Sequence, residues 1–146
     1  MGLIDEVGTG PVALDASAFI YYVEEHPAYV HLLDPLFDAV AREEREVLTS
    51  AVTLLEVLVV PLRAGNDALA RRYETLLTSS VGIRLVEIDR TQLRAAAGLR
   101  ARHGLRTPDA LQLAAGLTTG CAAFVTNDGK LRDLPGLRVL QLRDFR

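Results

Sequence analysis

Hydrophobic and polar positions alternate between two rhythms along this chain. Pro11-Val12-Ala13-Leu14 and Val47-Leu48-Thr49-Ser50 are short runs of strand-forming type, as is Ala122-Ala123-Phe124-Val125-Thr126. Such runs read as buried strands. Ile83-Arg84-Leu85-Val86-Glu87-Ile88 alternates instead, as a strand nearer a sheet edge does, and Leu137 to Leu142 supplies a fifth. Between them the spacing becomes helical. Ala16 to Val23 opens a helix that His26-Pro27 interrupts. A second helix spans Ala28 to Arg45, with Leu32, Leu33, Leu36, Phe37 and Val40 on one face and Pro35 inside it. Ala51 to Leu62 is apolar nearly all round, which predicts a well-buried helix. Ala68 to Thr78 turns Leu69, Tyr73, Leu76 and Leu77 inward. Arg90 to His103 is capped by Asp89 and stopped by Gly104, and Thr107-Pro108 opens a last helix with a cap residue and a proline.

Strands alternating with helices predict an α/β fold around a largely parallel sheet. With no repeat, linker or low-complexity stretch, residues 1–146 read as one domain.

Charge sharpens the picture through its absence. Val7–Val23, Val47–Leu62 and Thr107–Gly129 carry only four charges between them, and all four are carboxylates: Asp15, Glu56, Asp109 and Asp128. Acids are seldom buried unless paired or bound to metal. No basic residue lies in these windows, so a cation from solution is the natural partner. Each acid alone could be a helix cap, but four together outweigh that reading. In an open α/β sheet, ligands bind beyond the carboxyl ends of the strands. Asp15 directly follows the first strand and Asp128 closely follows the fourth. Glu56 lies on the helix after the second, while Asp109 must reach the same rim from the helix leading into the fourth strand. An oxygen-only ligand set selects Mg²⁺ or Mn²⁺ over Zn²⁺. His26, His31 and His103 all fall outside the charge-poor windows, and a zinc site has no support.

Cys121 is the only cysteine, which excludes an intramolecular disulfide and makes a reducing, cytoplasmic home the expectation. No apolar run is long enough to cross a membrane, and the acidic start is wrong for a signal peptide. A formal net charge of −3 argues against a passive coat on nucleic acid. Without the four acids, however, the rest of the chain is close to neutral. Loaded with divalent metal, such a site would attract a phosphate backbone.

Four segments, in order and across nearly the whole chain, resemble the motifs of PIN-domain nucleases. They are Leu14-Asp15-Ala16-Ser17-Ala18-Phe19-Ile20, Thr53-Leu54-Leu55-Glu56-Val57-Leu58, Pro108-Asp109-Ala110-Leu111-Gln112-Leu113-Ala114 and Phe124-Val125-Thr126-Asn127-Asp128-Gly129-Lys130-Leu131. The size and the ending Pro135-Gly136-Leu137-Arg138-Val139-Leu140 resemble the VapC-type toxins of bacterial toxin–antitoxin pairs. The resemblance implies a three-layer α/β/α fold with strand order 3-2-1-4-5. It implies Mg²⁺- or Mn²⁺-dependent hydrolysis of RNA to 5′-phosphate and 3′-hydroxyl ends, a small antitoxin as partner, and a homodimer. It makes Asp15, Glu56, Asp109 and Asp128 the catalytic and metal-holding acids, of one ion or two. Ser17 and Thr126 fall at its hydroxyl positions, behind the acids, though Ser17 equally suits a helix cap and Thr126 the end of a strand. Asn127 could touch substrate but also suits a turn. Residues 1–10 are longer than the usual lead-in and have no assigned role, and Ala16 stands where many relatives have Thr.

Other functions remain open at this point. A phosphoryl-acceptor domain of the haloacid-dehalogenase or receiver type also places an Asp after its first strand. It needs a lysine, for which Lys130 is the one candidate, and Ser17 breaks an Asp-x-Asp pair. A PIN nuclease that is no toxin, or an idle PIN-like binding module, are the nearer alternatives. Every basic residue but Lys130 is an arginine, and Arg94, Arg100, Arg102 and Arg106 precede Asp109, where they could meet phosphates or simply face water. The helix Ala51–Leu62 and the pair Tyr21-Tyr22 could serve the dimer or antitoxin interface, with core packing the default.

Overall fold

The computed structural model describes residues 2–146. Helix α1 (Leu3–Glu6) precedes β1 (Val12–Leu14), α2 (Ala16–Val23) and α3 (Val30–Ala41). Then follow β2 (Val47–Ser50), α4 (Val52–Arg63), α5 (Asp67–Ser79) and β3 (Ile83–Val86). The chain ends with α6 (Arg90–His103), α7 (Thr107–Thr118), β4 (Ala123–Thr126), β5 (Arg138–Gln141) and a 3₁₀ turn, Leu142–Asp144. The five strands form one sheet in the order β3-β2-β1-β4-β5, and every neighbouring pair is parallel.

Strand alternation splits the interior into two cores. Val12, Leu14, Val47, Ile83, Ala123 and Val125 face one side and pack with Phe19, Leu33, Phe37, Tyr73 and Leu77. Ala13, Leu48 and Phe124 face the other, against Ala96, Leu99, Leu111 and Leu113. This is the three-layer arrangement expected when parallel strands are joined by helical crossovers. β1, β2 and β4 are buried throughout, whereas edge strand β3 exposes Arg84.

Helix α7 lies unusually close to the sheet. A Cβ on Gly116 would sit 3.1 Å from the Cβ of Ala13 and 3.3 Å from Leu137 Cδ2, so a larger residue would have to push these neighbours back by a few tenths of an ångström. Because α7 leads directly into β4, it runs antiparallel to the strands, and its N-terminus rises to the rim where β1 and β4 end.

Four differences from the sequence reading have physical causes. Residues 3–6 form α1, too short for any periodicity to reveal. Its segment is fixed by Arg45, which donates to the carbonyls of Gly8 and Gly10, and by an Arg138–Glu6 ion pair at 3.0 Å. Helix α3 is shorter than its apolar pattern, ending where Glu43 takes a positive φ of 60°. Thr107 is the first helical residue of α7 and not its cap, a position Arg106 holds without a side-chain bond. The largest correction concerns α4. Leu55, Val59, Val60 and Leu62 are 64%, 41%, 66% and 58% exposed, and the burial its composition predicted applies to its inner face alone, at Thr53, Val57 and Pro61.

Candidate active site

Asp15 sits immediately beyond β1, where the chain must turn sharply from strand to helix. It is the N-cap of α2, and its Oδ1 accepts the Ala18 amide at 3.4 Å. The capping reading is therefore correct, but it accounts for only part of the carboxylate's bonding. Ser17 donates to Oδ1 at 2.6 Å and Thr126 donates to Oδ2. Thr126 ends β4 and is fully buried, and its hydroxyl also accepts the Asp128 amide at 3.0 Å. One hydroxyl thus ties the acid after β1 to the acid after β4.

Asp128 lies in the β4–β5 loop, where its Oδ1 accepts the Lys130 amide at 2.9 Å. Gln141 on β5 braces this loop by donating to the carbonyls of Asp128 at 2.9 Å and Leu131 at 3.2 Å. Asn127 is committed internally. Its Oδ1 accepts from the Arg143 backbone and guanidinium at 3.2 and 3.3 Å, and its Nδ2 faces the Tyr21 hydroxyl at 3.4 Å. It acts as a tie between the loop and the C-terminal turn.

Glu56 and Asp109 reach the rim from α4 and the first turn of α7. A buried polar chain links their helices to the sheet. Thr49 on β2 donates to the Leu14 carbonyl at 2.6 Å, which spends its single hydroxyl hydrogen. Thr53 on α4 is therefore the donor in their mutual 2.6 Å contact. Gln112 on α7 donates Nε2 to Thr53 at 2.7 Å and to Glu56 Oε1 at 3.3 Å. The chain runs Gln112 to Thr53 to Thr49 to the residue before Asp15, and so connects three of the four acid-bearing elements. These three residues have no assigned role in the sequence reading. Their one signal is polarity inside apolar windows, and Thr49, Thr53 and Gln112 are all buried.

The acids act on one another in pairs. Burial holds the Asp15 carboxyl above its ordinary value, against the opposing bonds from Ser17 and Thr126. Partial desolvation raises Glu56, whose bond from Gln112 opposes the shift, and the charges of Asp15 and Asp109 raise it further. Desolvation and then the Asp128 charge raise Asp109. Two cations act on this cluster from outside the charge-poor windows: Arg106 on Glu56 and Asp109, and Lys130 on Asp109. Neither forms an ion pair within 4.0 Å among the described residues. Of the other arginines singled out, Arg100 is spent on the Leu105 carbonyl and Thr107 hydroxyl at 2.9 and 3.0 Å. His26 packs against both Tyr21 and Tyr29, which stack on each other, and is not among the groups that act on the acids.

Among the described residues, no three acidic, histidine or cysteine side chains close into a ready-made metal cage. That is compatible with Mg²⁺, which keeps several waters and takes only one or two carboxylates directly. An oxygen-only set with raised proton affinities and mutual repulsion fits a hard divalent cation.

The sequence matches the PIN domain family model over residues 12–137. No match is found among curated proteins. Among solved structures, VapBC2 from Rickettsia felis bound to a promoter DNA fragment superposes with a TM-score of 0.71 at 13% identity, over 90% of this chain and 98% of that one. DNA-bound VapBC from Salmonella typhimurium gives 0.64 at 16% identity, covering 92% and 99%. A toxin–antitoxin complex from Klebsiella pneumoniae gives 0.63 at 17% identity, covering 86% and 94%.

Proposed function

The chain belongs to the PIN domain family, and on that premise we propose that it is a divalent-metal-dependent endoribonuclease, the toxin of a VapBC-type pair. The observation that carries this reading is the set of four acids around one rim of the sheet, where the charges of Asp15 and Asp109 act on Glu56 and that of Asp128 acts on Asp109.

Asp15, Asp109 and Asp128 would hold Mg²⁺ or Mn²⁺, with Glu56 joining directly or through water. When bound, the cation supplies charge to the scissile phosphate and lowers the pKa of attacking water. The chain's own residues do the rest. Ser17 and Thr126 fix the Asp15 carboxylate in one orientation, and Gln112 fixes Glu56 by one oxygen and leaves the other to face solvent. A carboxyl with raised proton affinity suits Glu56 to take the proton from water as it adds to phosphorus. The P–O3′ bond then breaks in line, and the departing O3′ takes a proton from solvent, leaving a 5′-phosphate and a 3′-hydroxyl. Arg106 and Lys130 hold the phosphate's negative charge over the acids.

The toxin assignment rests on neighbours described as toxin–antitoxin complexes, and an antitoxin and a second copy are the proposed protein partners. The buried free thiol of Cys121 suits the cytoplasm, and no helix among the described residues is long and apolar enough to cross a membrane. We read residues 1–146 as one catalytic domain. Single-turnover cleavage of labelled RNA with Mg²⁺, Mn²⁺ or EDTA tests the reading. Metal-dependent ends bearing 5′-phosphate support it, and unchanged cleavage in Asp15→Asn rejects the site.

A further inference from the structure

A cavity near the acids has none of them in its lining. It encloses about 260 Å³ between the C-terminal end of α6 and the β4–β5 loop, and is lined by His103, Leu105, Leu113, Lys130, Arg132 and Leu134, with Asp133 at its edge. Its floor is apolar, with Leu113 buried and Leu105 and Leu134 half-buried, while His103, Lys130 and Arg132 are exposed at the rim. The only acid present is already engaged, since Asp133 Oδ1 accepts the Val139 amide at 2.7 Å. Among the described residues none of the three basic side chains forms an ion pair. The loop itself is held in place by the Lys130–Asp128 turn and by Gln141. A preformed pocket with an apolar floor and the unpaired Lys130 and Arg132 at its rim, beside the one acid Asp133, fits a ligand with one flat apolar face and one anionic end.

Lys130 connects this pocket to the acids, because the same side chain lines the cavity and acts on Asp109. A polyanion crossing the acid cluster would therefore pass Lys130 and enter it. We propose that this cavity is a flanking-nucleotide subsite for single-stranded RNA. The phosphate next to the scissile one lies on Lys130 and Arg132, and its base covers Leu105 and Leu134. The volume suits one nucleotide's ring system and is smaller than a pocket for a drug-sized ligand. Phosphate contacts set register, and a base in an apolar pocket adds length dependence to cleavage. This inference rests on the RNA-nuclease reading for its substrate, though not for its measurement.

The test uses the double variant His103→Gln/Arg132→Gln, two rim positions outside the acid cluster. Anisotropy of a fluorescent single-stranded RNA in EDTA reads the pocket when no cleavage occurs. The expected result is a roughly tenfold weaker Kd and a salt slope shallower by about 0.7 for each phosphate that the rim no longer neutralises. In Mn²⁺, the KM for RNA extending beyond the cut rises similarly while kcat changes little, and a dinucleotide is cleaved equally by both proteins. An unchanged Kd and salt slope would overturn the subsite, whether or not the protein cleaves RNA. A wild type that binds RNA through these residues but never cuts it would overturn the nuclease reading alone.

Discussion

Gln112, buried on α7, donates its amide to the carboxylate of Glu56 on α4 at 3.3 Å while holding Thr53 at 2.7 Å. One side chain thus supports the fold and aims an acid. Gln112→Leu removes both bonds and leaves the Thr53 hydroxyl buried without its donor. A buried polar group deprived of its partner costs about 1–3 kcal/mol. Urea unfolding should show that loss as a lower midpoint with unchanged slope. The same variant should also cut metal-dependent cleavage more than stability explains, because Glu56 loses its anchor. If rates measured well below the unfolding midpoint match wild type, Gln112 is structural only.

Asp15 predicts a stability cost built into the site. Burial raises its carboxyl above the ordinary 3.8, so the folded, metal-free protein binds this proton more tightly than the unfolded chain. Between those two values the native state carries more protons, and stability falls as pH rises through the window. Glu56 and Asp109, raised above 4.5 and 3.8, add to the same trend. Asp15→Asn removes the ionisation, and Ser17 and Thr126 can rotate their hydroxyls to suit an amide. In EDTA, unfolding midpoints from about pH 4 to about pH 8 should decline for wild type and decline less for the variant. A wild-type midpoint that climbs across this range would contradict the assigned shifts.

Metal should reverse that trend. A cation that binds only the native state at a hundred times its Kd stabilises by about 2.7 kcal/mol. For a chain of this size that raises Tm by roughly 5–10 °C. Because ligating carboxylates must first lose their protons, the gain should shrink toward acid pH. Differential scanning fluorimetry with Mn²⁺ or Mg²⁺ reads this directly, without any RNA. Asp109→Asn should melt no lower than wild type in EDTA, and somewhat higher at neutral pH because it sheds a disfavoured charge, yet lose most of the metal response. An equal response in both proteins would place the cation elsewhere.

The legible parts of the sequence were those governed by local chemistry. Helix α6 runs from Arg90 to His103 as expected because Asp89 caps it and Gly104, at a φ of 66°, stops it. The bounds of β2 were equally clear, since charged Glu46 precedes its apolar run. The four acids stood out because each was a lone charge in an apolar window, a pattern visible without any fold. The Gln112–Thr53–Thr49 chain was hidden, as it joins Gln112 to Thr53 across 59 positions and Thr49 to Leu14 across 35, and hydrogen bonding across such distances leaves no periodic trace. Arg106 and Lys130 also fell just outside the windows that defined the site.

Helix α4 shows where pattern reading fails and what the failure predicts. An all-round apolar helix can be buried in its own core or await a partner, and composition does not separate the two. Here Leu55, Val59 and Leu62 form one exposed stripe at helical spacing, with Val60 beside it. Exposed apolar stripes of this kind mark association surfaces. Glu56 neighbours Val60 one turn along the same helix, so a partner seated there would also restrict access to the acids. Leu55→Lys/Val60→Lys should alter stability by no more than about 0.5 kcal/mol, because both side chains already face water. It should weaken association at least tenfold, as loss of a central apolar anchor does. Sedimentation velocity of the chain alone reports on a second copy, and co-purification with its antitoxin reports on the other proposed partner. Unchanged association in both measurements would return α4 to being an unusually apolar surface with no partner.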